Sequence, residues 1–172
     1  MGMMRAFLGG GIPLVNSGGQ PFSIPQAPAP LTAILFAARW CPDCTSFIPR
    51  LVEASKEGMA RKAEIVFVSS DRSKEDMYGY MRDCLEDWPA VTFDGTHRAK
   101  LKRKLGTCAG AEMAELEMDR SSRKYGIPTI AVFRTSDGAL ITMDGVRDVE
   151  EAGSRAFELW EAAAANIGTT HE

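Results

Sequence analysis

An excess of one charge, a long apolar run and a dense set of cysteines are all missing from this sequence, and each absence removes a class of protein. Twenty Lys and Arg residues face 23 acidic ones, leaving a formal net charge of −3. Without a basic excess the chain has no electrostatic footprint for nucleic acid. So small an imbalance also says little about steering toward charged substrates. The longest apolar stretch, Leu31 to Ala38, is far too short to cross a bilayer. Four cysteines in 172 residues are too few and too scattered for a disulfide scaffold. What remains, 45% hydrophobic and 25% charged residues, is the composition of a soluble globular domain with a sizeable core.

A secretory peptide is not expected at the N-terminus. Met1 to Val15 carries one arginine and a weak apolar stretch broken by Gly9, Gly10 and Gly11, with no small-residue cleavage signal after it. Gly2 invites a myristoylation reading, but Ala6 stands where Ser or Thr is required. The expectation is a cytoplasmic protein, with organelle targeting left open.

Residues 1–29, rich in Gly, Pro, Ser and Gln, read as a mobile lead-in with one edge strand at Ile12 to Val15. Residues 30–166 read as the folded domain, and 167–172 as a frayed tail. Leu31–Ala38 and Glu64–Ser69 are continuous apolar runs of strand length, suited to strands buried on both faces. The first is followed by a helix from Pro42 to about Met59, the second by one over Glu75 to Leu85 that Asp71 or Ser73 could cap. A basic helix near Arg98–Leu105 precedes an insertion-like segment at about 106–120, read as a solvated acidic helix through Glu112, Glu115, Glu117 and Asp119, or as a docking element. Thr129–Arg134 and Ala139–Met143 form a hairpin around Ser136-Asp137-Gly138, and Asp148 opens one closing helix to about Ala165. This order predicts an α/β fold: a central mixed sheet with helices on both faces.

Chemistry concentrates at Trp40-Cys41-Pro42-Asp43-Cys44, where a buried strand meets a helix. Backbone N–H groups at that helix N-terminus favour a thiolate at Cys41. Cys44 lies about one turn on, placed to resolve a mixed disulfide formed at Cys41. Pro42 stiffens the turn, and the Asp43 carboxylate disfavours a neighbouring thiolate. Cys41 and Cys44 are therefore the expected catalytic pair. A half zinc site completed by Cys84, Cys108 or His97 is the competing reading, weakened by the lack of a second close pair of ligands. Cys84 and Cys108 are left out of the catalytic set, because isolated cysteines mostly behave as small hydrophobes.

The segment Phe36 to Cys44 resembles the strand and active-site turn of thioredoxin-like proteins, and within them the tryparedoxin and nucleoredoxin branch. Val66-Phe67-Val68-Ser69-Ser70-Asp71, Trp88 to Asp94 and Tyr125-Gly126-Ile127-Pro128-Thr129 are similar to further motifs of that branch, in the same order. The resemblance implies a thioredoxin-like fold and a cis bond between Ile127 and Pro128, in a loop facing Cys41. It implies reduction of protein disulfides, with a peroxidase as one partner, through a redox-active Cys41–Cys44 disulfide and no bound cofactor. Electrons would come from a reductase or a low-molecular-weight dithiol. Trp40, Pro42, Asp43, Ile127, Pro128 and, by a loose match, Arg147 would line the substrate surface. Arg72 stands where the branch carries an acid that helps bind the polyamine arm of trypanothione, so charge opposes that donor. Leu35 or a neighbour stands where many thioredoxins carry a proton-accepting Asp. The rival reading is a redox-responsive binding module, nucleoredoxin-like, with little turnover.

Overall fold

The computed structural model describes residues 11–25, 27–57 and 62–168. Seven strands form one mixed sheet in the order β2-β1-β5-β4-β3-β6-β7. The strands are β1 (Leu14–Val15), β2 (Pro21–Phe22), β3 (Leu31–Ala37), β4 (Ala63–Ser69), β5 (Ala90–Val91), β6 (Thr129–Arg134) and β7 (Leu140–Thr142). The helices are α1 (Pro42–Glu57), α2 (Lys74–Cys84), α3 (His97–Leu105), α4 (Gly145–Ala152) and α5 (Arg155–Asn166), with a 3-10 turn at Gly110–Glu112.

Strand β3 is buried along its whole length, between parallel β4 and antiparallel β6. Alternation along it sends side chains to two cores, as the period of two in a strand requires. Leu31, Ala33 and Leu35 pack with Phe47, Ile48 and Leu51 of α1, Met77 and Tyr80 of α2, and Phe157 and Trp160 of α5. Ile34 and Phe36 face the other way, onto Val66, Val68 and Leu101 of α3. The mixed α/β sheet is thus covered by helices on both faces.

Three local readings change. The lead-in supplies two strands rather than one: β1 pairs with both β2 and β5, and Leu14 and Val15 are buried. Its Gly, Pro and Ser content marks the tight turn between those strands, where Asn16 Oδ1 accepts N–H bonds from Gly18 and Gln20. The closing helix is two helices, α4 and α5, parted at Gly153, whose φ of +57° leaves the helical region. The inserted segment forms turns instead of an acidic helix. Asp119 draws the N–H groups of Ser121 and Ser122 to its own carboxylate, and Glu117 adopts a φ of 53°. The readings at residues 1–10, at the end of the first helix near Met59 and at 169–172 fall outside the described residues.

Two glycines make this packing feasible. A Cβ on Gly145 would lie 2.7 Å from Ile130 Cγ2, so only glycine lets α4 start against β6. Gly106 ends α3 with a φ of +60°, and its carbonyl accepts from both Lys124 N and Tyr125 N, which closes the base of the inserted segment.

Candidate functional site: a dithiol turn and its support

Because β3 and β4 run parallel with Ala37 opposite Ser69, their C-terminal ends emerge side by side. The chain leaving β3 enters the Trp40–Cys44 turn, and the chain leaving β4 becomes Ser69-Ser70-Asp71. The two turns are bonded together. Arg39 N donates to Asp71 Oδ1 at 2.7 Å, and the Trp40 indole Nε1 donates to Ser70 O at 2.9 Å. Ser70 N in turn donates to Ala37 O at 2.9 Å.

Cys41 is the last residue before α1, and Cys44 lies in its first turn. Both are free thiols. The Cys44 N–H donates to Cys41 Sγ at 3.2 Å, and Cys41 Sγ sits 3.9 Å from Ile127 O. Cys41 keeps 5% of its surface exposed, whereas Cys44 is fully enclosed. Burial, reinforced by the neighbouring Cys41, pushes the Cys44 thiol far above its ordinary value. One sulfur therefore sits beside a backbone donor at a helix N-terminus in a residue that keeps a sliver of exposed surface, and the other stays protonated in a fully enclosed one.

The flanking residues are placed as follows. Pro42 and Asp43 are exposed on the first turn of α1. Trp40 is 40% exposed, with the Arg72 guanidinium 5.4 Å from its ring centroid, within cation–π range. The Ile127–Pro128 peptide bond is cis, and both residues are half-buried opposite Cys41. Arg147 is exposed on α4, and its Nε donates to Glu151 Oε1 at 2.8 Å, along its own helix. Cys84 is exposed and Cys108 is buried with Leu116 and Met118. Among the described residues, no group of three or more His, Cys, Asp or Glu side chains is arranged to hold a metal. No helix among them is long and apolar enough to cross a membrane.

Several polar residues around the site have partners that sequence reasoning did not assign, although Ser73 was one of its two cap candidates. Asp71 is buried and accepts from Arg39 N and Ser69 Oγ, while Ser73 provides the cap of α2. Burial holds the Asp71 carboxyl above its ordinary value, against the lowering effect of those hydrogen bonds. Tyr80 Oη is buried without a hydrogen-bond partner, and burial and the nearby Cys44 push its pKa up, so the phenol stays protonated. Lys102, from the helix that reads as basic, is buried: its Nζ donates to Ser69 O at 2.8 Å and pairs with Glu112. Glu112 also accepts from Ser70 Oγ at 2.7 Å and Ala109 N at 2.9 Å. Strand ends set side by side were foreseeable from the two apolar runs. The partners of Lys102 were not.

Parallel strands that deliver a Cys-x-x-Cys turn to a helix N-terminus, backed by an antiparallel hairpin, are the architecture of thioredoxin-type α/β proteins. The sequence profile described as thioredoxin-like matches residues 30–140. The chain belongs to this thioredoxin-like family, whose members are thiol oxidoreductases. Nucleoredoxin from Bos taurus is 31% identical over 149 residues, which is 84% of this chain and 30% of that protein. Nucleoredoxin from Danio rerio is 31% identical over 136 residues, 77% of this chain and 28% of the relative. The chain thus spans under a third of the length of these nucleoredoxins. Among solved structures, thioredoxin from Wuchereria bancrofti is 34% identical with a TM-score of 0.65, covering 89% of this chain and 96% of that one. Tryparedoxin from Trypanosoma brucei shares the fold, with a TM-score of 0.69 at 24% identity over 91% of this chain and 97% of its own.

Proposed function

We propose that the chain reduces disulfides in protein substrates through the Cys41/Cys44 pair. The observation that carries this reading is the asymmetry of the two sulfurs: Cys41 keeps 5% of its surface exposed and accepts an N–H, while Cys44 is fully enclosed and held protonated. The Cys41 thiolate attacks one sulfur of the substrate disulfide, and the other sulfur leaves as a thiolate that takes up a proton. Cys44 then loses its proton and attacks Cys41 Sγ, which releases the second substrate thiol. Two electrons have passed to the substrate, and the Cys41–Cys44 bond holds the oxidised equivalent until a dithiol or a reductase reduces it. No bound cofactor enters the cycle.

Trp40, Pro42, Asp43, Ile127 and Pro128 form the surface that meets the substrate. Pro128 offers no N–H, so an extended segment lying along this loop pairs with the backbone of Ile127. Arg72 over Trp40 puts a cation beside the site, which disfavours a polyamine-bearing donor such as trypanothione and suits a neutral or acidic dithiol.

Insulin-disulfide reduction tests the reading. The wild type should turn over, Cys41→Ser should lose activity by roughly 10³-fold or more, and Cys44→Ser should accumulate a mixed disulfide on Cys41. Oxidation-dependent binding of a partner without turnover would replace this reading with that of a redox-responsive binding module.

A further inference from the structure

Trp40 is the largest exposed apolar group beside Cys41, and its one side-chain hydrogen bond goes to Ser70 O. Apart from the Arg72 guanidinium over its ring, the indole is fixed through Ser70. The backbone of Ser70 is bonded to the end of β3, and its hydroxyl donates to Glu112 at 2.7 Å. Glu112 belongs to the inserted segment and has partners on three sides: Ser70 Oγ, Ala109 N and the Lys102 ammonium. Lys102 keeps only 2% of its side chain exposed and reaches back to Ser69 O. The same segment is closed at its base onto the residues leading into the second wall of the site. Cys108 N donates to Tyr125 O at 3.2 Å and Arg123 Nε to Cys108 O at 3.0 Å, immediately before Gly126-Ile127-Pro128.

Removing an ammonium from water costs more than a surface loop needs to spend on its own stability, and an apolar pair would fill the space as well. Direction is what this ion pair adds. Its hydrogen bonds fix Ser69 and Ser70 relative to the residues that precede the cis-Pro128 loop. We infer that Glu112 and Lys102 are positioning residues for the disulfide-binding surface, and that the 107–123 segment ties the Trp40 wall to the Pro128 wall. They touch neither sulfur and act through Ser70 and Trp40. The link to catalysis rests on the oxidoreductase reading above, whereas the link to Trp40 does not.

Two readouts separate these claims. The first is solvent exchange of the Trp40 indole proton, followed by ¹H–¹⁵N NMR and assigned with Trp40→Phe. Ser70→Ala removes only the hydroxyl that Glu112 holds and spares the buried charges. Lys102→Met/Glu112→Leu removes both charges together, so that the fold survives. Each should shift the indole signal and speed its exchange by roughly 5-fold, the equivalent of weakening one hydrogen bond. The second readout is insulin reduction, in which both variants should raise KM by a similar factor and leave kcat within about twofold. An unmoved indole signal in both variants overturns the inference, as does a fall in kcat at constant KM. A wild type without turnover overturns the oxidoreductase reading alone, and the indole exchange then still decides this one.

Discussion

The Trp40–Cys44 turn and the 107–123 segment solve opposite problems. In the first, consecutive residues place reactive groups at the surface, and the bonds that hold them come mostly from backbone: Cys44 N to Cys41 Sγ, Cys41 N to Ala38 O, Trp40 Nε1 to Ser70 O. In the second, polar side chains from distant positions are taken out of water and paired with one another, Lys102 with Glu112 and Glu112 with Ser70. A site made of backbone geometry is written in a short run of sequence. A support made of side-chain pairs depends on tertiary structure. The first determines which reaction is available, and the second how steadily its surface is presented.

The largest test of this contrast is Lys102→Met alone. It leaves the Glu112 carboxylate with Ser70 Oγ and Ala109 N but without the ammonium bonded to it, and only the more distant Arg98 as a cation. Breaking a buried pair from one side should cost about 3 kcal/mol, while Lys102→Met/Glu112→Leu should return to within about 1 kcal/mol of wild type. Urea midpoints of the three proteins measure both numbers. If the single variant is no worse than the double, the pair behaves as a solvated one and the contrast between the two regions disappears.

Next in size is Gly145→Ala, which probes a third contact near the site. The added methyl would meet Ile130 Cγ2 at 2.7 Å and Ile130 O at 2.9 Å, and backbone cannot rotate away as a side chain can. Forcing α4 from β6 should destabilise the protein by about 1–3 kcal/mol. Denaturant unfolding gives the value. A neutral result would mean that α4 can slide along β6 and is not part of the rigid frame behind Pro128.

How much of this was legible follows the same division. The buried character of Leu31–Ala37 and Glu64–Ser69, the junction at Cys41 and the closing hairpin all show in local patterns, because apolar runs, helix-starting Pro42 and turn residues act over a few positions. The insertion misled for a physical reason. Its acidic residues look like one solvated face, but Glu115, Glu117 and Asp119 are exposed on turns while Glu112 points inward. Likewise Lys102 sits between Leu101 and Arg103 in a helix that reads as basic, and nothing near it in sequence reveals which cation is buried. Removing the segment would strand that cation, so deletion of residues 107–119 should destabilise the protein.

Asp71 holds the start of the dithiol turn through Arg39 N, beside the Ser70 that bonds to both regions, and its effect should be smaller and dependent on pH. Burial holds its folded-state ionisation above the ordinary 3.8. The folded protein therefore binds this proton more tightly than the unfolded chain does. Across the window from the ordinary value up to the raised one, stability should fall as pH rises, because ionising Asp71 costs more in the folded state. Asp71→Asn keeps an acceptor for Arg39 N and removes the titration, so that this part of the stability–pH curve should flatten. Urea midpoints collected through the mildly acidic range give the two curves. Parallel slopes would place Asp71 in solvent contact and detach it from the dithiol turn.

The smallest effect is expected at Arg147, which sequence similarity placed on the substrate surface. Its guanidinium is exposed and bonded to Glu151 one turn on, and side-chain exposures of 73% and 62% leave that pair screened by water. Exposed pairs of this kind add little to folding, so Arg147→Ala should leave the denaturation midpoint within experimental error. If the guanidinium stays along α4 during turnover, KM for insulin disulfides should also stay within about twofold, the scale of a screened surface charge. A larger rise in KM with an unchanged midpoint would show that Arg147 leaves Glu151 to meet the substrate. The site would then contain a side chain that, like Lys102, takes its role from what it reaches rather than from its neighbours in sequence.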